Sequence, residues 1–144
     1  MRPTDFPVIN DGAALQDTLL RARGIYVADP KLATAGIHFV NVITKLGIHD
    51  EVAPRLHAFA NGAMAMRELS LAKGPDLVGC TQITEILNTP GVTLVGPLPT
   101  EFELSTVYTA AVFAHAREPE LARRFTQLLS GLATQDLRAS CGFE

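Results

Sequence analysis

The spacing of apolar residues changes period several times along the chain, and each change predicts an element. Leu15, Leu19 and Ala22 recur at i, i+4 and i+7, the face of an amphipathic helix that Asn10 or Asp11 can cap and Gly24 stops. Ile25-Tyr26-Val27-Ala28 predicts a short buried strand, ended at Asp29-Pro30 because proline holds the residue before it in extended geometry. Helical spacing returns from about Ala35 to Leu46 through Phe39, Val42, Ile43 and Leu46, with Gly47 as its stop. A turn of helix is predicted from His49 to Ala53, a weak strand from Leu56 to Ala60, and a helix from Asn61-Gly62 to Lys73.

The stretch from Gly74 to Glu101 repeats the alternation. Leu77 to Cys80 predicts a strand, Thr81 and Gln82 open a short helix carrying Ile83, Ile86 and Leu87, and a Pro90-Gly91 turn leads into a strand from Val92 to Val95. Thr106 to Ala114 is strongly β-prone and predicts a further strand. After Pro119, the stripe Leu121, Phe125, Leu128 and Leu132 predicts a long helix, followed by a short one from Gln135 to Ser140. Strands alternating with helices imply an α/β fold, a three-layer αβα arrangement with a mostly parallel sheet covered on both faces. The stiff Gly96-Pro97-Leu98-Pro99 cluster and the polar stretch behind it predict an internal boundary, dividing residues 1–100 from 101–144.

Composition narrows the function classes. The 144 residues are 47% hydrophobic and 19% charged, with a net charge of -3, so there is no basic field for nucleic acid. No apolar run approaches the roughly 18 residues of a membrane span, and MRPTDFPVINDG lacks the apolar core of a secretory signal, which predicts a cytoplasmic location for the chain as written. Cys80 and Cys141 make no disulfide framework, and Cys80 lies in an apolar strand where a thiol acts as a small hydrophobe.

Candidate chemistry gathers at three strand-to-helix junctions, Lys31 to Gly36, Asn61 to Met64, and Thr81-Gln82. A parallel sheet places all three on one edge, where ligands of open α/β sheets bind. Helix starts offer unpaired N–H groups and a positive dipole end, and the small residues Ala33, Thr34, Ala35, Gly36, Gly62 and Ala63 let a compact anion approach the backbone. Elsewhere the chemistry is sparse. His38, His49, His57 and His115 have no metal-ligand spacing, so neither a metal nor another cofactor is expected. Cys80 before Thr81 could be a nucleophile at a helix start, but no base accompanies it, and no catalytic residue is assigned. Asp29, Glu85 and Glu101 read as caps or solvated surface.

Five segments in order, DPKLATAG (Asp29 to Gly36), LGI (Leu46 to Ile48), AKG (Ala72 to Gly74), LVGCTQITEIL (Leu77 to Leu87) and PGVTLVGPLP (Pro90 to Pro99), together resemble the molybdate-binding type of bacterial extracellular solute-binding protein. Such proteins are receptors of ABC importers with the type 2 periplasmic-binding fold, two α/β lobes closing on a ligand. The resemblance implies that residues to about 100 correspond to the second, inserted lobe and the remainder to the return into the first. It implies a periplasmic, non-enzymatic receptor that meets a membrane permease and holds a small oxyanion or polar organic anion.

Carried over by position, the first helix start falls on Ala35, the second near Met64, and a tyrosine of the family on Gln82, which offers an amide in place of a hydroxyl. The expected ligand-binding set is therefore Thr34, Ala35, Gly36, Ala63, Met64, Thr81 and Gln82. The alternative is a ligand-sensing effector domain of a bacterial regulator, since such domains share the two-lobed fold. Apolar surface on Thr106 to Ala114 and the last helices also predicts a homo-oligomer formed through the C-terminal segment.

Overall fold

Gly24–Ala28 (β1) forms the middle of the sheet because both its faces are apolar enough to be covered. It pairs in parallel with Leu56–Phe59 (β2) on one side and Leu77–Cys80 (β3) on the other, giving the order β2-β1-β3. Tyr26 stands opposite His57 and Gly79 in this register. The computed structural model describes residues 6–143; residues 1–5, part of the amino-terminal stretch read for a secretory signal, and Glu144 lie outside them.

Alternation along β1 assigns its two faces. Ile25 and Val27 enter a core with Leu15 and Leu19 from Gly12–Arg21 (α1), Phe39, Val42 and Ile43 from Thr34–Lys45 (α2), Ile48, and Val52 from His49–Val52 (α3). Tyr26 faces the opposite side, where Gly62–Leu71 (α4) packs with Ala65 and Met66 buried. Gly79 makes that packing possible: a Cβ there would overlap Met66 Cε and approach Leu69. Helices thus cover both faces of a parallel sheet, the αβα arrangement expected.

Local chemistry sets the ends of these elements. Asp11 caps α1 by accepting the Ala14 N–H at 2.8 Å, and Gly47, at φ 71°, ends α2 with the Ile48 N–H on the Ile43 carbonyl at 3.0 Å. Arg55 donates to the Leu20 carbonyl at 2.9 Å and to that of Ala22, satisfying the end of α1. Ile83–Leu87 (α5) follows β3 directly.

The predicted strand from Val92 to Val95 does not form. Exposure alternates from Gly91 to Leu98 as in a strand, yet among the described residues no neighbour pairs with it, and Pro97 and Pro99 lack ladder donors. Instead the chain is tied down by side chains. Leu98 and Phe102 pack on the core, Glu101 Oε1 accepts the Gly12 N–H at 3.1 Å, and His38 Nε2–H donates to the Phe102 carbonyl at 2.7 Å. These anchors keep the first compact unit, Met1–Leu104, together through the end of its sequence.

The second unit, Ser105–Glu144, holds Pro119–Ser130 (α6) and Gln135–Ser140 (α7). Arg138 ties α7 to the end of α6 through the Leu129 and Gly131 carbonyls at 3.0 and 2.8 Å. Thr106 to Ala114, expected as a strand, is irregular. Its β propensity measures fit to a pleated, half-buried surface, and among the described residues of this unit no strand offers one. None of the described residues of the unit is buried, and Leu121, Phe125, Leu128 and Leu132 are all exposed.

Candidate functional site

Because the three strands run parallel, their carboxyl ends share one edge and each hands the chain to a helix there. α2 starts after Ala33, which offers no capping side chain. The Asp29 carboxylate takes the Lys31 and Leu32 N–H groups at 2.7 and 2.9 Å, and its carbonyl takes that of Ala33 at 3.1 Å. Among the described residues, no acceptor lies on the N–H groups of Thr34, Ala35 or Gly36. Gly36 seats this start on the sheet: a Cβ there would overlap the carbonyl oxygens of Ala28 and Asp29.

The start of α4 is filled differently. Asn61 is its cap and accepts the Met64 N–H at 2.9 Å. The Ala63 N–H donates to Glu85 Oε1 at 3.1 Å, and the other carboxylate oxygen of Glu85 accepts the Thr81 hydroxyl. Glu85 belongs to the helix after β3, so its carboxylate reaches across from the β3 junction to the β2 junction, on either side of β1. Gly62, buried between them, carries no side chain because a Cβ would overlap both Thr81 Oγ1 and Glu85 Oε2. Gln82 is the half-buried cap position of α5.

Thr81, Ala63 and Glu85 therefore form one hydrogen-bonded cluster packed against Gly62, while Thr34, Ala35 and Gly36 present donors from the neighbouring junction. Glu85 is the residue that reading acids one by one passes over. Its spacing of four from Thr81, which stands just before the cap of α5, signals half of the arrangement; the reach to Ala63 is long-range. All three acids read as caps hold backbone N–H groups: Asp29 those of Lys31 and Leu32, Glu85 that of Ala63, and Glu101 that of Gly12.

The thiol of Cys80, beside this edge, is inert by its surroundings. Burial pushes it up to about 12, so the thiolate that a nucleophile needs is not formed near neutral pH. The histidines are dispersed: His38 on the Phe102 carbonyl, His49 beside Asp50, His57 stacked on Tyr26 at 4.8 Å, and His115 edge-on to Phe113. No group of three metal-ligating side chains occurs among the described residues, and no described helix is long and apolar enough to cross a membrane. An open depression of about 510 Å³, lined by Thr44, Gly47, His49, Asp50 and Glu51, lies around the opposite end of α2.

A family model described as bacterial extracellular solute-binding protein matches residues 3–144, nearly the full length. The chain belongs to that family. An aconitate isomerase from Pseudomonas sp is 32% identical over 60 residues, which are 42% of this chain and 23% of that protein. The matched stretch is thus less than a quarter of that relative. No solved structure matches the chain significantly.

Proposed function

We propose that the chain is the solute-binding component of an ABC-type importer, working in the periplasm against a membrane permease, and that it holds a small anion at the carboxyl edge of its sheet. Thr34, Ala35, Gly36, Ala63, Met64, Thr81 and Gln82 line that edge, with Met1–Leu104 as the second lobe of a two-lobed receptor and Ser105–Glu144 as the return toward the first. The observation that carries the reading is the start of α2, at the carboxyl end of β1, whose first N–H groups have no acceptor of their own among the described residues. The ligand reading extends to organic anions because a relative is named for aconitate, a polycarboxylate, as well as to molybdate-like oxyanions.

A thermal-shift screen with molybdate, tungstate, sulfate, phosphate, citrate and trans-aconitate tests it. A ligand present at about 100 times its dissociation constant adds about 2.7 kcal/mol of stability. Stabilisation by one class of anion is the outcome expected, and a flat screen overturns the reading.

A second reading, an isomerase of small polycarboxylates, is favoured by the name of the Pseudomonas relative. Incubation with cis-aconitate in deuterated buffer separates the two, because an isomerase that moves a proton incorporates deuterium and converts the substrate, whereas a receptor leaves it unchanged. The exposed apolar stripe of α6 also supports self-association, which light scattering across micromolar to near-millimolar concentrations would reveal.

A further inference from the structure

None of the described residues of Ser105–Glu144 is buried. A unit of about 40 residues is at the size where folding usually needs disulfides, a metal or oligomerisation. Its one cysteine, Cys141, cannot close a disulfide within it. Its apolar residues, in contrast, are arranged for association. Leu121, Phe125 and Leu128 on α6, and Leu132 just after it, recur at intervals of four, three and four, with Leu129 beside them. That is the spacing of a coiled-coil seam, narrower than the stripe by which a helix usually faces a domain core. These five side chains are between 47% and 86% exposed.

We propose that this seam is the contact of a homodimer, in which α6 of one copy packs antiparallel on α6 of a second. The proposal rests on the self-association stated above, names its surface, and is independent of the ligand. Area fits a second copy as the occupant. At roughly 100 Å² each, the five side chains offer roughly 500 Å² of apolar surface per copy; with about 60% of an interface apolar, that core belongs to one of roughly 800 Å² per partner, the standard size of a stable complex. A lipid surface would instead select a basic polar face, whereas Glu118 and Glu120 offset Arg123 and Arg124 on α6 and its cap. Charge sets the direction. In parallel, the two helix dipoles repel; reversed, the acidic end with Glu118 and Glu120 faces the end where Arg138 donates to the Leu129 and Gly131 carbonyls. Asp136 opens α7 near that end too, so the apolar seam and not the charges supplies the affinity.

The test is sedimentation velocity of the full chain from micromolar to near-millimolar concentration, with the variants Phe125→Glu, Phe125→Leu and, off the seam, Gln127→Glu. Phe125 and Gln127 are exposed, so the circular dichroism spectrum of each variant should match that of the unaltered chain. The unaltered chain is expected to reach twice the single-chain mass as concentration rises. Phe125→Glu should raise the dissociation constant on the order of a hundredfold, because it sets an unpaired carboxylate in the contact, while Phe125→Leu and Gln127→Glu keep the dimer. Direction is read from nitroxide labels on Glu120→Cys in a Cys141→Ser background. An antiparallel pair centred between Phe125 and Leu128 places the two labels about 20 Å apart along the axis at about 1.5 Å per residue, and a parallel pair places them side by side. Labels at the short spacing overturn the antiparallel pairing. A single-chain mass at every concentration overturns the dimer and self-association together, and a dimer that Phe125→Glu leaves intact overturns the seam but leaves self-association standing. Binding of a monomeric chain to anionic phospholipid vesicles, lost in Phe125→Glu, makes lipid the occupant and overturns the proposal. Stabilisation by anions should be equal in Phe125→Glu and the unaltered chain, which separates this contact from the ligand site.

Discussion

Gly62 and Thr81, 19 positions apart in the chain, approach so closely that a Cβ on Gly62 would come nearer than 3.0 Å to the Thr81 hydroxyl, a separation that real Cβ atoms essentially never show. This contact joins the junction after β2 to the junction after β3 and sets the carboxylate of Glu85 on the start of α4. The shape of the candidate site follows from it.

Gly62→Ala measures how firmly that contact is built. In an open helix the change would stabilise by up to about 1 kcal/mol through propensity alone. Here the added methyl meets Thr81 and Glu85, and overpacking of this kind costs about 1–3 kcal/mol. A urea midpoint below that of the unaltered chain is the expected result.

Gly36→Ala is expected to be worse tolerated. Its methyl would meet two backbone oxygens, those of Ala28 and Asp29, which cannot rotate aside as a side chain does. The start of α2 must lift from the end of β1, at a cost of about 3 kcal/mol or more, and urea denaturation again supplies the measurement.

The Cys80 thiol gives a pH signature. Its folded value is raised from 9.0 to about 12 by burial, so below pH 9 it is protonated in both states and its contribution is fully present. Between 9 and 12 the unfolded chain releases a proton that the folded chain keeps, and stability falls as pH rises through that window. With Cys141 replaced by serine to leave one thiol, half-buried Cys80 should also react with iodoacetamide at pH 8 far more slowly in the folded chain than in the urea-unfolded chain, because its thiol stays protonated. Rapid labelling of the folded chain would contradict this.

Phe39 is 1% exposed and lies in the core between α2 and β1. Phe39→Ala should cost about 3–5 kcal/mol, a large share of the roughly 5–15 kcal/mol that holds a domain folded, and circular dichroism melting would register it.

Local patterns make most of the first unit legible in the sequence. Asp11, Asn61 and Gly47 announce helix ends through chemistry confined to a few residues, and each acts there as its sequence context implies. The end of α4 comes earlier than the spacing implies, at Leu71 rather than Lys73. What the sequence does not show depends on partners distant in the chain. Val92 to Val95 and Thr106 to Ala114 carry strand composition, but a strand exists only where another pairs with it. Glu85 looks like an isolated surface acid until β1 is seen to separate two junctions that its side chain joins. The three helix starts are visible as positions, whereas the difference between an open start and an occupied one is a property of the folded chain.

Titrating the isotope-labelled chain with citrate, and following its amides, tests anion binding at the sheet edge most directly. Saturable shifts centred on Thr34, Ala35 and Gly36, with the depression around Thr44, Gly47, His49, Asp50 and Glu51 unaffected, are the predicted result. Shifts centred on that opposite end of α2, or none at its start at any concentration, would contradict it.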